Sequence, residues 1–259
     1  MNDSWVALRR FTQARIALGR AGHAVPTQVL LDFQLAHAKA RDAVHVSWNI
    51  DAFAGLVRDL GEEVLILDTP IGSRDEYIRR PDLGRVLTEG SRTRLRNSNI
   101  AAADAALIVT NGLSSTAVER HGIPLLQAIT NAYRTRQLRI APVSLAANGR
   151  VALSDDIGSV IAARVAVIIV GERPGLSAAD SLGIYLTYAP KPGTTDAKRN
   201  CISNIRPPEG LSYEAAAAKL LYLTEEAIRR SISGVELKDE MTGLPDDGEN
   251  IVRPPKLLS

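Results

Sequence analysis

The chain is nearly devoid of cysteine, poor in aromatics, without an excess of either charge, and without a long apolar run. A single cysteine, Cys201, excludes an intrachain disulfide and fits a reducing cytosol. The four histidines (His23, His37, His45, His121) are scattered. None pairs with a cysteine at zinc-ligand spacing, so no protein-only metal site is expected. Aromatics make up only 4% of the chain, too few for a platform on which single-stranded nucleic acid could stack. The 31 basic and 29 acidic residues leave a net charge of +2, which argues against a nucleic-acid protein held by phosphate electrostatics. No apolar run approaches the ~20 residues of a membrane span. The start, Met1-Asn2-Asp3-Ser4-Trp5, lacks the apolar segment of a signal peptide. What remains is a soluble cytoplasmic protein of globular composition, 45% hydrophobic over 259 residues.

The stretch that organises the chain is Val165-Ala166-Val167-Ile168-Ile169-Val170, followed by Gly171-Glu172-Arg173-Pro174-Gly175-Leu176. An unbroken, mostly β-branched run reads as a strand buried on both faces. The turn after it then stands at the strand's carboxyl end, where open α/β sheets bind ligands. Before it, Ser4 can cap a helix over 5–19, ended by Gly19-Arg20-Ala21-Gly22; further helices are expected over 26–44 and 51–60. These make residues 1–62 a helical N-terminal region. From 63 the pattern alternates. Strands are expected at 63–67, 105–109, 138–145, 165–170 and 183–189. Helices are expected from Pro81 to Arg96, from Ser114 to Arg134, from Asp155 or Asp156 to Ala163, and from Tyr213 to Arg230. Residues 190–210 read as loop. The arginines Arg85, Arg92, Arg94 and Arg96 read as a solvated face. Strand–helix alternation predicts an α/β fold, a parallel sheet with helices on both faces, filling 63–233. The segment 234–259, acidic and then proline-containing, reads as an extended tail.

In such a sheet the loops 111–114, 146–151, 171–176 and 190–204 gather on one edge. They carry Asn111, Ser114, Ser115, Val151, Glu172, Arg173, Cys201, Ser203 and Asn204. These are mostly uncharged hydrogen-bonding groups with no paired acid and base, which suits a large ligand with many amides better than proton transfer. There is no Gly-x-Gly-x-x-Gly, no Walker loop and no Gly-x-Ser-x-Gly elbow. Each residue also has a plainer reading: Ser114 as a helix cap, Cys201 as a small buried hydrophobe, Val151 as core, Glu172–Arg173 as a local ion pair.

Five stretches resemble one family, the small (light) subunit of adenosylcobalamin-dependent ethanolamine ammonia-lyase. They are Leu8-Arg9-Arg10-Phe11-Thr12-Gln13-Ala14-Arg15-Ile16 with Gly19 to Gly22, Tyr77 to Gly84 around Arg80-Pro81-Asp82, Gly112-Leu113-Ser114, Val170 to Leu176, and Cys201-Ile202-Ser203-Asn204-Ile205. The resemblance implies a Rossmann-like cobalamin-binding domain behind the helical region. It implies that Val151, Glu172 and Cys201 contact adenosylcobalamin, and that a large TIM-barrel subunit joins this chain in a hetero-oligomer and holds ethanolamine. The implied reaction is the radical conversion of ethanolamine to acetaldehyde and ammonia, with no catalytic residue on this chain. Many cobalamin domains place a histidine on cobalt through Asp-x-His-x-x-Gly. Here Ala21, Leu35, Ala43 and Glu119 stand two before the histidines, so cobalt is expected to keep the cofactor's own dimethylbenzimidazole. Asn111 stands where the family often has Asp. Members with a longer N-terminal extension are enclosed in a bacterial microcompartment, and the short start here leaves that open. The other readings are a stand-alone corrinoid- or nucleotide-binding module, and a Rossmann-like enzyme acting alone on a small metabolite.

Overall fold

The computed structural model describes residues 4–98 and 100–241. A 3-10 helix, Ser4–Phe11, opens the described chain. It replaces the α-helix expected over 5–19, and Ser4's side chain, the expected cap, lies outside what is described. The cause is local. The Arg9 guanidinium donates from Nε to Ile16 O and from Nη2 to Ala17 O, both at 3.0 Å, and folds the segment back on itself. Helices α1 (Thr27–His45) and α2 (Ile50–Asp59) follow, the second capped by Asn49 Oδ1, which accepts from Ala52 N. Strand β1 is Val64–Leu67.

Between β1 and the next strand, the single helix expected from Pro81 is broken into α3 (Arg74–Arg79), a 3-10 turn (Leu83–Arg85) and α4 (Glu89–Asn97). Ser73 and Thr88 cap the two helices, and Val86 is extended at φ −135°. The extension lets Leu87 N donate to Asp156 Oδ2 at 2.8 Å, an anchor that a continuous helix would forfeit. After it come β2 (Ala105–Thr110), α5 (Ser115–Thr135), β3 (Val143–Ala146), α6 (Leu153–Ile161) and β4 (Val165–Gly171). Strands β5 (Leu182–Tyr188) and β6 (Arg199–Ile205) and helix α7 (Tyr213–Arg230) complete the body.

The six strands lie in the order β1-β3-β2-β4-β5-β6. The first four are parallel. Strands β5 and β6 are antiparallel to their neighbours, so the expectation of an all-parallel sheet is corrected. Only residues 172–181 separate β4 from β5, and Pro174 with the reciprocal Gly175–Ala178 backbone bonds turns them tightly. A parallel crossover takes a dozen or more residues, usually a helix. β6 also replaces part of the loop expected over 190–210. Its polar residues Asn200, Cys201, Ser203 and Asn204 are tolerable because it is an edge strand, and a bulge at Leu182/Ile184 breaks its alternation.

One face of the sheet packs Leu107, Leu145, Val167, Ile169 and Ile184 against α2, α5 and α7. The other packs Ile108, Ala166 and Ile168 against α6, with α4 behind it. Phe53 of α2 reaches Gly122 of α5, where an added Cβ would stand 2.9 Å from the ring. α7 lies over β5 and β6, whereas α6 lies over β2 and β4. The β5–β6 surface on the α6 side therefore extends past α6; on it Cys201 is exposed, Tyr185 is half-buried, and Gly183 lies buried under the Glu172 side chain.

Gly171, at the end of β4, abuts the turn before α5. A Cβ there would overlap the carbonyl oxygens of Ser114 and Asn111, whereas one at Gly175 would have its nearest neighbour at 3.7 Å. Gly171→Ala should therefore destabilise by at least ~2 kcal/mol and Gly175→Ala by no more than about 0.5 kcal/mol. Urea midpoints at constant slope check the contrast.

Candidate functional site

The carboxyl ends of the parallel strands are tied together by polar clamps. Asn111, 2% exposed, follows β2. Its Oδ1 accepts from Asn148 N at 2.7 Å, and its Nδ2 donates to Ser115 Oγ at 3.1 Å. Ser115 Oγ spends its one hydrogen on Val46 O at 2.7 Å. Position 111 must thus supply a donor as well as an acceptor, which Asn does and a carboxylate does not. Arg74 Nη1 donates to Gly112 O and Asn148 Oδ1, locking the same two loops. Ser114 caps α5, accepting from Ala117 N, so the plainer reading of that residue holds. Its hydroxyl also donates to Ala179 O at 2.9 Å, fixing the far end of the loop that leaves β4.

Past these clamps lies a depression of about 430 Å³, bordered by Tyr77, Arg150, Val151, Glu172, Arg173 and Tyr185. A neighbouring one of about 700 Å³ shares Arg150, Val151 and Tyr185 with it. Val151 and Glu172 thus meet at one rim. Val151 is half-buried in the turn between β3 and α6. Glu172 follows β4 directly. Its Oε2 accepts from Ser181 Oγ at 2.6 Å, and Asn204 N lies 3.3 Å from the same oxygen. These partners replace the local pairing with Arg173 that the sequence allowed. The carboxylate joins the ends of β4, β5 and β6 while one side stays at the rim.

Cys201 does not sit on a loop at the carboxyl ends, as expected; it lies within β6, opposite Tyr185. It still neighbours the rim, because its cross-strand partner Tyr185 borders both depressions. Cys201 is exposed rather than a buried hydrophobe. Even so, packing around the sulfur pushes the thiol up, and Glu172 pushes it further, against Tyr185, which favours the thiolate. Burial, followed by Cys201 and Glu172, pushes the Tyr185 phenol up to about 12. The Cys201 thiol and the Tyr185 and Tyr77 phenols are thus all pushed up, away from neutral pH.

Sequence reasoning missed Tyr77, Arg150 and Tyr185. Tyr77 is buried with its ring between two guanidiniums, Arg150 at 3.9 Å and Arg74 at 4.6 Å from the centroid. Arg150 Nη2 also donates to Tyr77 O at 2.8 Å, so the α3 segment and the Arg150 turn form one wall. Tyr185 was findable: Leu182, Ile184 and Leu186 alternate inward, which leaves Gly183, Tyr185 and Thr187 on the other face. Nothing local marks Tyr77 or Arg150, which meet only through the fold. Arg92 is also not the solvated residue expected. It pairs with Asp156, whose side chain is 3% exposed, at 2.7 Å.

Two outcomes follow from this geometry. Asn111→Asp should cost about 1–3 kcal/mol, because a carboxylate would face Ser115 Oγ without a hydrogen between them; thermal unfolding of the two proteins checks it. Cys201 should alkylate with a midpoint above the ordinary thiol value near 8.5. Glu172→Gln should lower that midpoint, because it removes a negative charge that disfavours the thiolate. Iodoacetamide rates against pH, read by mass on the lone cysteine, measure both.

The comparisons with known proteins agree along nearly the whole chain. The family model for ethanolamine ammonia-lyase light chain matches residues 2–238. An ethanolamine ammonia-lyase small subunit of Azotobacter vinelandii is 53% identical over 241 residues, covering 92% of this chain and 89% of the relative. Small subunits of the same name from Pseudomonas putida F1 and Ralstonia nicotianae are 52% identical over 242 residues and 51% over 241. They too cover 92% of this chain, and 89% and 88% of themselves. No helix among the described residues is long and apolar enough to cross a membrane. On the extent and identity of these matches, the chain belongs to the ethanolamine ammonia-lyase light chain family.

Proposed function

We propose that this chain seats adenosylcobalamin against a large, TIM-barrel catalytic subunit, in the cytoplasm, and contributes no catalytic residue of its own. The observation that carries the reading is the convergence of Val151, Glu172 and, through its cross-strand partner Tyr185, Cys201 on one open rim. In this reading residues 63–233 form a Rossmann-like cobalamin-binding domain and 1–62 a helical N-terminal region; the tail expected from 234 begins with a 3-10 turn, Gly234–Glu236, and a buried Leu237, and its residues 242–259 lie outside the described ones.

The residues present fit such a group. Gly183 keeps the floor low, since a Cβ there would stand 3.0 Å from Glu172 Oε1. Arg150 Nε is buried without a hydrogen-bond partner and borders both depressions, so it is a donor awaiting an acceptor. Val151 offers an apolar edge for a flat macrocycle. Glu172 can accept from a corrin side-chain amide with an oxygen whose orientation Ser181 and Asn204 already hold. Cys201 and Tyr185 line the sheet surface beneath. When bound, the cofactor supplies the radical chemistry that turns ethanolamine into acetaldehyde and ammonia. This chain's part is to bind, to orient and to exclude water from one side. Trp5, Leu8 and Phe11, at 63%, 42% and 53% exposure, fit a chain with a partner to cover them.

The test is co-expression with the large subunit, followed by cobalamin retention on gel filtration and acetaldehyde release. Cys201→Trp and Gly183→Phe, which raise the floor, should weaken cobalamin retention at least about tenfold while the two chains still co-elute. Unchanged retention in both variants would sink the assignment.

A further inference from the structure

A third concavity, of about 740 Å³, lies away from the rim, between α1, the first turns of α5, the end of the β4–β5 loop and the Arg206-Pro207-Pro208-Glu209 turn after β6. Neither Val151, Glu172 nor Cys201 borders it. Its size is that of a metabolite site. Leu35, Ala36 and Ala43 of α1 make one apolar wall, and Pro207 and Pro208 another.

His121 and Arg206 stand between those walls, 4% and 9% exposed. His121 Nδ1 is 2.7 Å from the Tyr213 hydroxyl, while its Nε2 is buried without a hydrogen bond. Arg206 Nε is likewise buried without a partner, and its Nη1 reaches Glu209, half exposed, only at 3.4 Å. An arginine Nε can only donate. On His121, Tyr213 can donate to Nδ1 and leave the proton on Nε2, and the Asp180 carboxylate 3.6 Å from Nε2 favours that tautomer. Asp180 itself is engaged by Arg120. Lys39 adds a third cation at the edge; Asp32 and Asp42 stand on the α1 wall. The cleft thus converges two buried donors, neither of them hydrogen-bonded, beside apolar surface, with the Asp180 carboxylate 3.6 Å from the histidine one. Leaving such donors unsatisfied costs free energy that an incoming acceptor would recover.

We propose that this cleft binds a small organic oxyanion, a phosphate or carboxylate head on Arg206 and His121 with an apolar body between α1 and the Pro207–Pro208 turn. The charge logic agrees. Burial holds His121 below its usual value, and Arg120 and Arg206 push it the same way against Asp180; an anion at Nε2 would raise it.

The test uses the full chain with 15N-labelled histidine, titrated with inorganic phosphate or phenyl phosphate in place of chloride at constant ionic strength. Of the four histidines, His121 alone should move saturably, and its titration midpoint should rise by on the order of one pH unit. Phenyl phosphate should bind at least about tenfold tighter than inorganic phosphate, because its ring is buried as well. Arg206→Met should abolish the response. Ala36→Phe, which fills the cleft from α1 and spares both donors, should weaken phenyl phosphate about tenfold and keeps the test decisive if the first variant does not fold. A His121 signal indifferent to both anions, or a response that survives in the folded variants, overturns the site. Equal affinity for the two anions overturns the organic ligand. None of these readouts involves cobalamin or the large subunit, so they stand or fall apart from the function proposed above.

Discussion

The carboxyl end of β4 lies backbone to backbone against the turn that opens α5, and the rim depends on that contact. Leu113 N donates to Gly171 O at 2.9 Å, and Gly112 takes φ +51° so that the turn can approach. A side chain at Gly112 would overlap the Gly171 backbone, and one at Gly171 the carbonyls of Asn111 and Ser114. The approach sets where Glu172 leaves the sheet, while Ser114 Oγ on Ala179 O pins the other end of the same loop. The loop from β4 to β5 is therefore held at both ends by the start of one helix. Its two sides border two different concavities, with Glu172 and Arg173 at one and Leu176 to Asp180 at the other.

The open β5–β6 surface is held by ion pairs rather than by a covering helix. Arg199, 2% exposed in its side chain, makes a bidentate pair with Asp155 of α6, both bonds at 2.7 Å, and also donates to Thr187 Oγ1. Burial pushes the Asp155 carboxyl up in spite of that arginine. Burial also works against the Arg199 charge, yet Asp155 and Asp196 hold the guanidinium up, so desolvation offsets part of the Coulomb gain and the pair fixes the β6 edge against α6. A hydrophobic substitute of similar volume could match it in stability but not in direction. The direction matters, because Arg199 lies two residues before Cys201 on the same strand and holds that strand's face toward the rim.

Much of the architecture is readable from local pattern. The β-branched run 165–170 is a strand with every residue buried, and the helix expected over 213–230 is found with those bounds, capped by Ser212. The rim was legible in part. Glu172 follows from the Gly-Glu-Arg-Pro-Gly turn at a strand end, and Val151 from the loop after β3, the preceding strand in the chain. Cys201 was named for a motif, and its motif is a strand. Tyr77, Arg150 and Asn111's bond to Asn148 were not legible, since each depends on a group 37 or more residues away.

Local signals, which act within a few residues, settle β2, β4, α5 and α7, where apolar period or run and flanking residues agree; over 5–19 the same kind of signal was overridden by the Arg9 bonds. Strand direction, the break between α3 and α4, the pairing of Arg92 and Arg199 with the aspartates of α6, and the place of Cys201 beside the rim were decided by the tertiary structure alone. The physical reason is one of range. Hydrogen-bond partners and the burial of charge are fixed by what the fold brings opposite a residue, and a single chain read in order does not contain that information.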